Sequence, residues 1–118
     1  MLNQSVDLDR VFHALADPAR RAMVERLARA PAAVSELARP LPMSLPAVMQ
    51  HVGVLEAAGL VRSKKVGRVR TCAIEPETLK LVEQWISTRR LEWEQRLDRL
   101  DAYLRILESE GDRNGSGE

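Results

Sequence analysis

The stretch from Val34 to Arg70 leaves this chain few folds to choose from. It reads as a short helix (Val34 to Arg39), a Pro-punctuated turn (Pro40 to Met43), a longer helix (Ser44 to Ala58) and a Lys/Arg-rich hairpin (Leu60 to Ile74). The longer helix has well-marked ends. Ser44 is an N-cap whose side-chain oxygen can accept from an orphan N–H of the first turn. Pro46 falls in that turn, where a missing N–H costs little and a fixed φ helps. Gly59 supplies the left-handed residue that ends the helix. Between them Val48, Val52, Leu55 and Ala58 recur at spacings of four and three, one core-facing stripe. Leu45, Ala47, Met49, Gln50 and Gly53 remain on the outer face. That face is short and nearly uncharged, whereas an ordinary solvated helix more often carries Glu and Lys.

The hairpin adds the second half of the argument. Leu60 to Val66 and Val69 to Ile74 are rich in β-branched residues and meet at Val66-Gly67-Arg68, where Gly67 can take positive φ. Lys64, Lys65, Arg68 and Arg70 cluster around that tip. In an isolated hairpin such a run would read as a solvated loop. Directly after a helix pair, it fits phosphate contact or insertion into a minor groove. Helix, turn, helix and basic ribbon in this order is the layout of a winged helix-turn-helix, a reader of double-stranded DNA. On that reading Gln50 hydrogen-bonds a base edge, and Ala47 and Met49 contact thymine methyls. Ser44, Leu45 and His51 complete the DNA-facing set. For His51 two roles stand open, donation to a phosphate and a structural one.

Charge distribution tests this independently. The whole chain carries 18 Lys plus Arg against 17 Asp plus Glu, a balance that says nothing about nucleic acid. Residues 17 to 70, however, hold ten basic and four acidic residues, a net +6, and the remainder, eight against thirteen, is −5. That asymmetry is the footprint of a nucleic-acid-binding face set against a solvating or partner-binding one.

At 118 residues, 45% hydrophobic and 30% charged, the chain is expected to form one small globular domain. Only 3% is aromatic, so the core should be aliphatic. No apolar run reaches the ~18 residues of a membrane span, and Met1 to Arg10 is polar and acidic, unlike a secretory leader. A lone Cys72 cannot form an internal disulfide, which agrees with a cytoplasmic location.

Two helical parts flank the reader. Val6, Val11, Leu15 and Phe12 suggest a first helix ending near Ala16. Asp17 then caps a second helix with Pro18 at its first position and Met23, Val24 and Leu27 packed inward. Arg20 and Arg21 fall in its first turn, where cations oppose the helix dipole. A DNA phosphate near that helix terminus would offset the cost; the alternative is two solvated arginines. At the other end a helix over residues 76 to 108 spans ~45 Å, too long for one small core to cover. Leu79, Val82 and Ile86 share a stripe, and Trp93, Leu97, Leu100, Leu104 and Leu107 continue it at spacings of four and three. The surplus calls for a partner, and an antiparallel second copy is the economical one. Residues 111 to 118, rich in Gly and polar residues, are expected to be a disordered tail.

Several motifs fall in the order and spacing of one family. Ala16-Asp17-Pro18-Ala19-Arg20-Arg21, Val34-Ser35-Glu36-Leu37-Ala38, Ser44-Leu45-Pro46-Ala47-Val48-Met49-Gln50-His51-Val52, Leu55-Glu56-Ala57-Ala58-Gly59-Leu60-Val61 and Gly67-Arg68 closely resemble the ArsR-type winged-helix regulators over roughly residues 7 to 105. The resemblance implies a mainly α fold with a two-stranded β-wing, in the order α-α-α-α-β-β-α. Its domain would be residues 1–110, with the helix-turn-helix at 34–59, the wing at 60–74 and a dimerisation helix at 76–108. It further implies a homodimer built through the terminal helices, with Leu8, Phe12, Trp85, Trp93, Leu97, Leu100, Leu104 and Leu107 as interface residues. Such a dimer binds an imperfect palindrome in a promoter, usually to repress it, without an enzymatic activity.

Where the chain departs from the family pattern is also informative. Many relatives sense metals through a Cys-x-Cys pair in the first reader helix or through His and carboxylates on the last helix. Here the first has no Cys and the last no His. His13, assigned to packing, His51 and Cys72 stand alone, so neither a metal nor another cofactor is expected. The Trp-x7-Trp pattern at Trp85 and Trp93 looks most like a branch lacking metal sites. Cations near Cys72 would lower its pKa, but one thiol makes no intrachain switch, and the inducer is not legible. An enzyme is disfavoured, since no nucleophile–base pair, carboxylate pair or phosphate-cradling loop is present. The alternative of a different class is a winged-helix module that binds protein without DNA, which would have no need of the +6 segment.

Overall fold

A computed structural model describes residues 7 to 116. Five helices and three short strands follow in the order α1 (Leu8–Leu15), α2 (Pro18–Leu27), β1 (Ala32–Ala33), α3 (Val34–Ala38), α4 (Leu45–Ala57), β2 (Val61–Val66), β3 (Val69–Ile74) and α5 (Pro76–Ser116). The chain divides into two compact units, Met1–Val82 and Glu83–Glu118. Val6, expected on the first helix, lies outside the described residues.

Local chemistry sets most helix ends in the first unit. The Asp7 carboxylate accepts from the Asp9 N–H at 3.0 Å and starts α1. Asp17 accepts from the Arg20 N–H at 3.0 Å and starts α2, with Pro18 at the first helical position as expected. Glu36 reaches back to the Ala33 N–H at 3.0 Å at the head of α3. Ser44 Oγ accepts from the Ala47 N–H at 3.3 Å and opens α4. That helix closes in a Schellman motif: the Leu60 N–H reaches the Leu55 carbonyl at 3.0 Å and the Gly59 N–H the Glu56 carbonyl at 2.9 Å. Gly59 sits at φ +78°, which a side chain would resist.

The strands form an antiparallel sheet in the order β1-β3-β2. The wing hairpin is the expected one, with Val66 paired to Val69 across the turn and Gly67 at φ +63°. Ala32–Ala33 adds a third strand along β3 that the sequence pattern does not announce. Two alanines carry no β signal of their own; the open edge of β3 supplies the pairing.

The core of the first unit is aliphatic, as composition requires. Val11 and Ala14 of α1, Met23 and Leu27 of α2, Leu37 of α3, and Val48, Val52 and Leu55 of α4 are buried, closed by Leu60, Val61, Cys72 and Val82. Leu15 and Val24 pack against this cluster. In the second unit, by contrast, no side chain between residues 83 and 112 is buried. The helix also continues to Ser116, through six residues of the segment expected to be a disordered tail. No Pro stops it, and adding a residue to a formed helix is far cheaper than nucleating one, so Gly111 at ~1 kcal/mol does not end it. No helix among the described residues is long and apolar enough to cross a membrane.

Candidate nucleic-acid interface

The stripe on α4 lies inward as its spacing requires, with Val48, Val52 and Leu55 buried and Ala58, the C-cap, beside them. The opposite side presents Leu45, Met49, Gln50 and Gly53 to the outside, with Ala47 half-buried. Leu45 is 53% and Met49 38% exposed, an unusual display of apolar surface on a helix next to the core. A Cβ built on Gly53 meets nothing within 4 Å, so no internal contact demands a glycine there. The result is a smooth, uncharged face able to lie close against another surface.

The wing cations do not all share one face. Cross-strand partners share a face of an antiparallel pair, and the register pairs Ser63 with Cys72, Lys65 with Arg70 and Lys64 with Thr71. Lys65 and Arg70 therefore share the face of buried Cys72, Lys64 projects from the other, and Arg68 sits in the turn. Arg70 is also committed internally. Its Nη1 donates to Ser63 Oγ at 2.9 Å, and Ser63 Oγ donates to Glu56 Oε1 at 2.8 Å, a relay tying the wing to the end of α4. Lys64, Lys65 and Arg68 are exposed, with no ion pair or hydrogen bond to their side chains among the described residues. Between wing and helix lies a cleft of about 360 Å³, lined by the apolar Val34, Leu45, Met49 and Val69 together with Lys65, Arg68 and Arg70. Apolar groups and cations in one cleft suit a polyanion that also carries apolar groups.

Arg20 and Arg21, expected at a DNA phosphate, are occupied by the protein itself. Arg20 Nε donates to the Ala14 carbonyl at 2.7 Å and Nη2 to the His13 carbonyl at 3.3 Å. Arg21 Nη1 donates to the Leu15 carbonyl at 2.8 Å. Both guanidinium groups thus satisfy orphan carbonyls at the C-terminus of α1, where the helix dipole favours cations. These contacts offset their unfavourable place at the start of α2. The third Arg20 contact is longer in range: Nη1 lies 3.1 Å from His51 Nδ1 on α4. Asp17 Oδ2 is 4.0 Å from the same nitrogen. The backbone N–H of Arg20 holds the Asp17 carboxyl below its ordinary pKa, against an opposing desolvation and with the charge of Arg20 adding to it.

Other candidates also move. Cys72 is fully buried, and burial pushes its thiol up from the ordinary value, with Glu56 adding and Arg70 opposing. The lowering that neighbouring cations could produce does not prevail, because desolvation outweighs Arg70. His13, assigned to packing, has an exposed side chain and contributes its backbone carbonyl instead. Among the described residues no three His, Cys, Asp or Glu side chains gather where they could hold a metal ion. Of the residues assigned to dimerisation, Leu8 packs against the core of its own unit. Phe12 is exposed at 38%. On α5, Trp85, Trp93, Leu97, Leu100, Leu104 and Leu107 are all exposed, and Arg89 stacks over the Trp85 ring at 5.1 Å. The Glu56–Ser63–Arg70 relay had no sequence signal beyond residue type, since its members meet only when the wing folds back on α4.

Comparison with known proteins adds a second line of evidence. A family model for a helix-turn-helix domain matches residues 15–64. Over 104 residues the chain is 44% identical to the HTH-type transcriptional regulator Rv2034 of Mycobacterium tuberculosis, covering 88% of this chain and 92% of that protein. The crystal structure of an ArsR family transcriptional regulator matches with a TM-score of 0.70 at 53% identity, over 74% of this chain and 96% of that one. The homodimeric winged helix-turn-helix DNA-binding domain Mb0332 from Mycobacterium bovis, a possible ArsR-family regulator, matches with a TM-score of 0.59 at 26% identity. That alignment covers 78% of this chain and 94% of the other.

Proposed function

The chain belongs to the ArsR family of winged helix-turn-helix transcriptional regulators, and on that premise we propose that it is a homodimeric repressor of a palindromic promoter operator. The family consists of DNA-binding regulators rather than enzymes. The carrying observation is the exposed, uncharged face of α4 set beside a wing whose Lys64, Lys65 and Arg68 have no partner among the described residues. A protein-binding winged helix would have no need of those free cations next to an apolar reading face. In this reading α4 enters the major groove, Gln50 takes a base edge, Leu45, Ala47 and Met49 face thymine methyls, Ser44 stands at the groove edge, and the wing holds the backbone.

The exposed stripe of α5 supports the homodimer. Residues 83 to 116 form about 50 Å of helix, and along it Trp93, Leu97, Leu100, Leu104 and Leu107 repeat with a period near 3.5, the pattern that pairs helices. Two-fold pairing would present two reading helices to half-sites about one DNA turn apart. The test is a gel shift on the upstream region of the chain's own gene across a salt series. Phosphate-driven recognition weakens steeply as salt rises, so binding that stays flat would sink the proposal.

A further inference from the structure

Arg20 stands in the sequence as a cation beside a helix terminus, yet each of its side-chain contacts is internal. Its guanidinium bridges the end of α1, through the Ala14 and His13 carbonyls, to His51 on the reading helix. Its own backbone N–H is held by Asp17, whose carboxylate stands 4.0 Å from the same His51 nitrogen. Three elements meet at one half-buried point. We propose that Arg20 is a positioning residue for DNA reading: it fixes the His51 ring and leaves Nε2–H as the group offered to DNA. The inference rests on the DNA-reading proposal above and assigns two residues within it.

The chemistry follows from donor inventory. A guanidinium carries only N–H donors and does not lose its proton, so a 3.1 Å contact with Nδ1 requires a lone pair there. A neutral imidazole that accepts at Nδ1 carries its proton on Nε2. His51 is one residue beyond Gln50 on α4, its side chain remains 22% exposed, and with Nδ1 turned to Arg20 the nitrogen left for a phosphate oxygen is Nε2. Arg20 therefore acts on DNA through His51 and adds no phosphate contact of its own.

Two measurements test this. The first reads the ring directly: nitrogen chemical shifts of His51 in the free protein, assigned with His13→Gln. The expected result is protonation at Nε2 in the wild-type chain, lost to a mixture of tautomers in Arg20→Lys. A proton on Nδ1 in the wild-type chain would overturn the proposal, and this readout stands even if the protein bound no DNA at all. The second compares Arg20→Gln, which removes the charge, and His51→Asn on operator and scrambled duplex. Arg20→Gln should lose roughly tenfold on both duplexes and leave the salt slope unchanged, because the phosphate contact that is lost is made by a neutral imidazole. His51→Asn keeps an acceptor for Arg20 but loses the far donor, so its salt slope should stay the same while operator affinity falls. If Arg20→Gln instead reduced the salt slope by about one, Arg20 would be a phosphate ligand and the inference wrong. Failure of the wild-type chain to bind operator would count against the DNA-reading proposal, not against the tautomer.

Discussion

Thr78 Oγ1 donates to the Gly59 carbonyl at 2.6 Å, joining the first turn of α5 to the residue that ends the reading helix. Thr78 is buried, 4% exposed, and Gly59 is held at φ +78° beside it. The bond satisfies a carbonyl left without an intrahelical partner and fixes where the chain leaves α4. Thr78→Val keeps the shape and removes the donor. It should destabilise the fold by ~1–2 kcal/mol, read as a lower denaturation midpoint with an unchanged denaturant slope. An unaltered midpoint would mean that water replaces the bond at no cost.

Gln50 and Arg68 are assigned different tasks, so their variants should fail differently. Gln50→Ala should lose ~1–3 kcal/mol on operator and blur preference at one base pair. Arg68→Ala should weaken operator and random DNA alike and reduce the salt slope by about one. Identical behaviour of both variants on both duplexes would refute the division of roles.

Acid should act through Asp17. Its carboxyl titrates lower in the folded chain than in the unfolded one. Its contribution is therefore complete above the ordinary carboxylate range and is lost as pH falls through the folded value. Asp17→Asn keeps a capping oxygen but no charge. The melting temperature of the wild-type chain should exceed that of the variant at pH 7, and the gap should narrow only as pH falls below the ordinary carboxylate range. A gap independent of pH would assign the stabilisation to shape rather than charge.

Gly53 separates stability from recognition. It lies in the interior of α4, exposed, with open space where a Cβ would go. Gly53→Ala should stabilise the protein by ~0.5–1 kcal/mol, visible as a higher denaturation midpoint. If operator affinity falls while stability rises, the glycine serves close approach of the DNA; equal affinity would leave it without that role.

Leu100 and Leu104 test the second unit. Both are about half exposed, at 52% and 48%, so replacing them with Glu removes no core contact. The double variant should keep its helical circular dichroism and sediment as a monomer. With the two half-site contacts uncoupled, operator affinity should fall more than tenfold. A double variant that still sediments as a dimer would move the interface elsewhere.

The reading helix was legible because its determinants act within a turn of where they sit. Ser44, Pro46 and Gly59 mark its ends through their own backbone chemistry, and Val48, Val52 and Leu55 mark its inner face by spacing. The wing turn at Gly67 is local in the same way. The division of the wing cations was partly legible: alternation from Gly67 already separates Lys64 from Lys65 and Arg70. What spacing cannot reveal is that Arg70 spends a donor on Ser63, and Ser63 one on Glu56.

Arg20 marks the boundary most clearly. Sequence placed it in the first turn of α2 and read its charge as available. Packing brings it against carbonyls six and seven positions earlier and a ring thirty-one positions later. Cys72 turned in the same way, from a thiol among cations to a buried group held protonated by desolvation. Sequence by itself determined the elements, their ends and the aliphatic stripes, because propensity, capping and periodicity are short-range. Only the tertiary structure decided which charges are spent inside the molecule and which remain for a partner. Hydrogen bonds and desolvation depend on distances that exist only once the helices have packed.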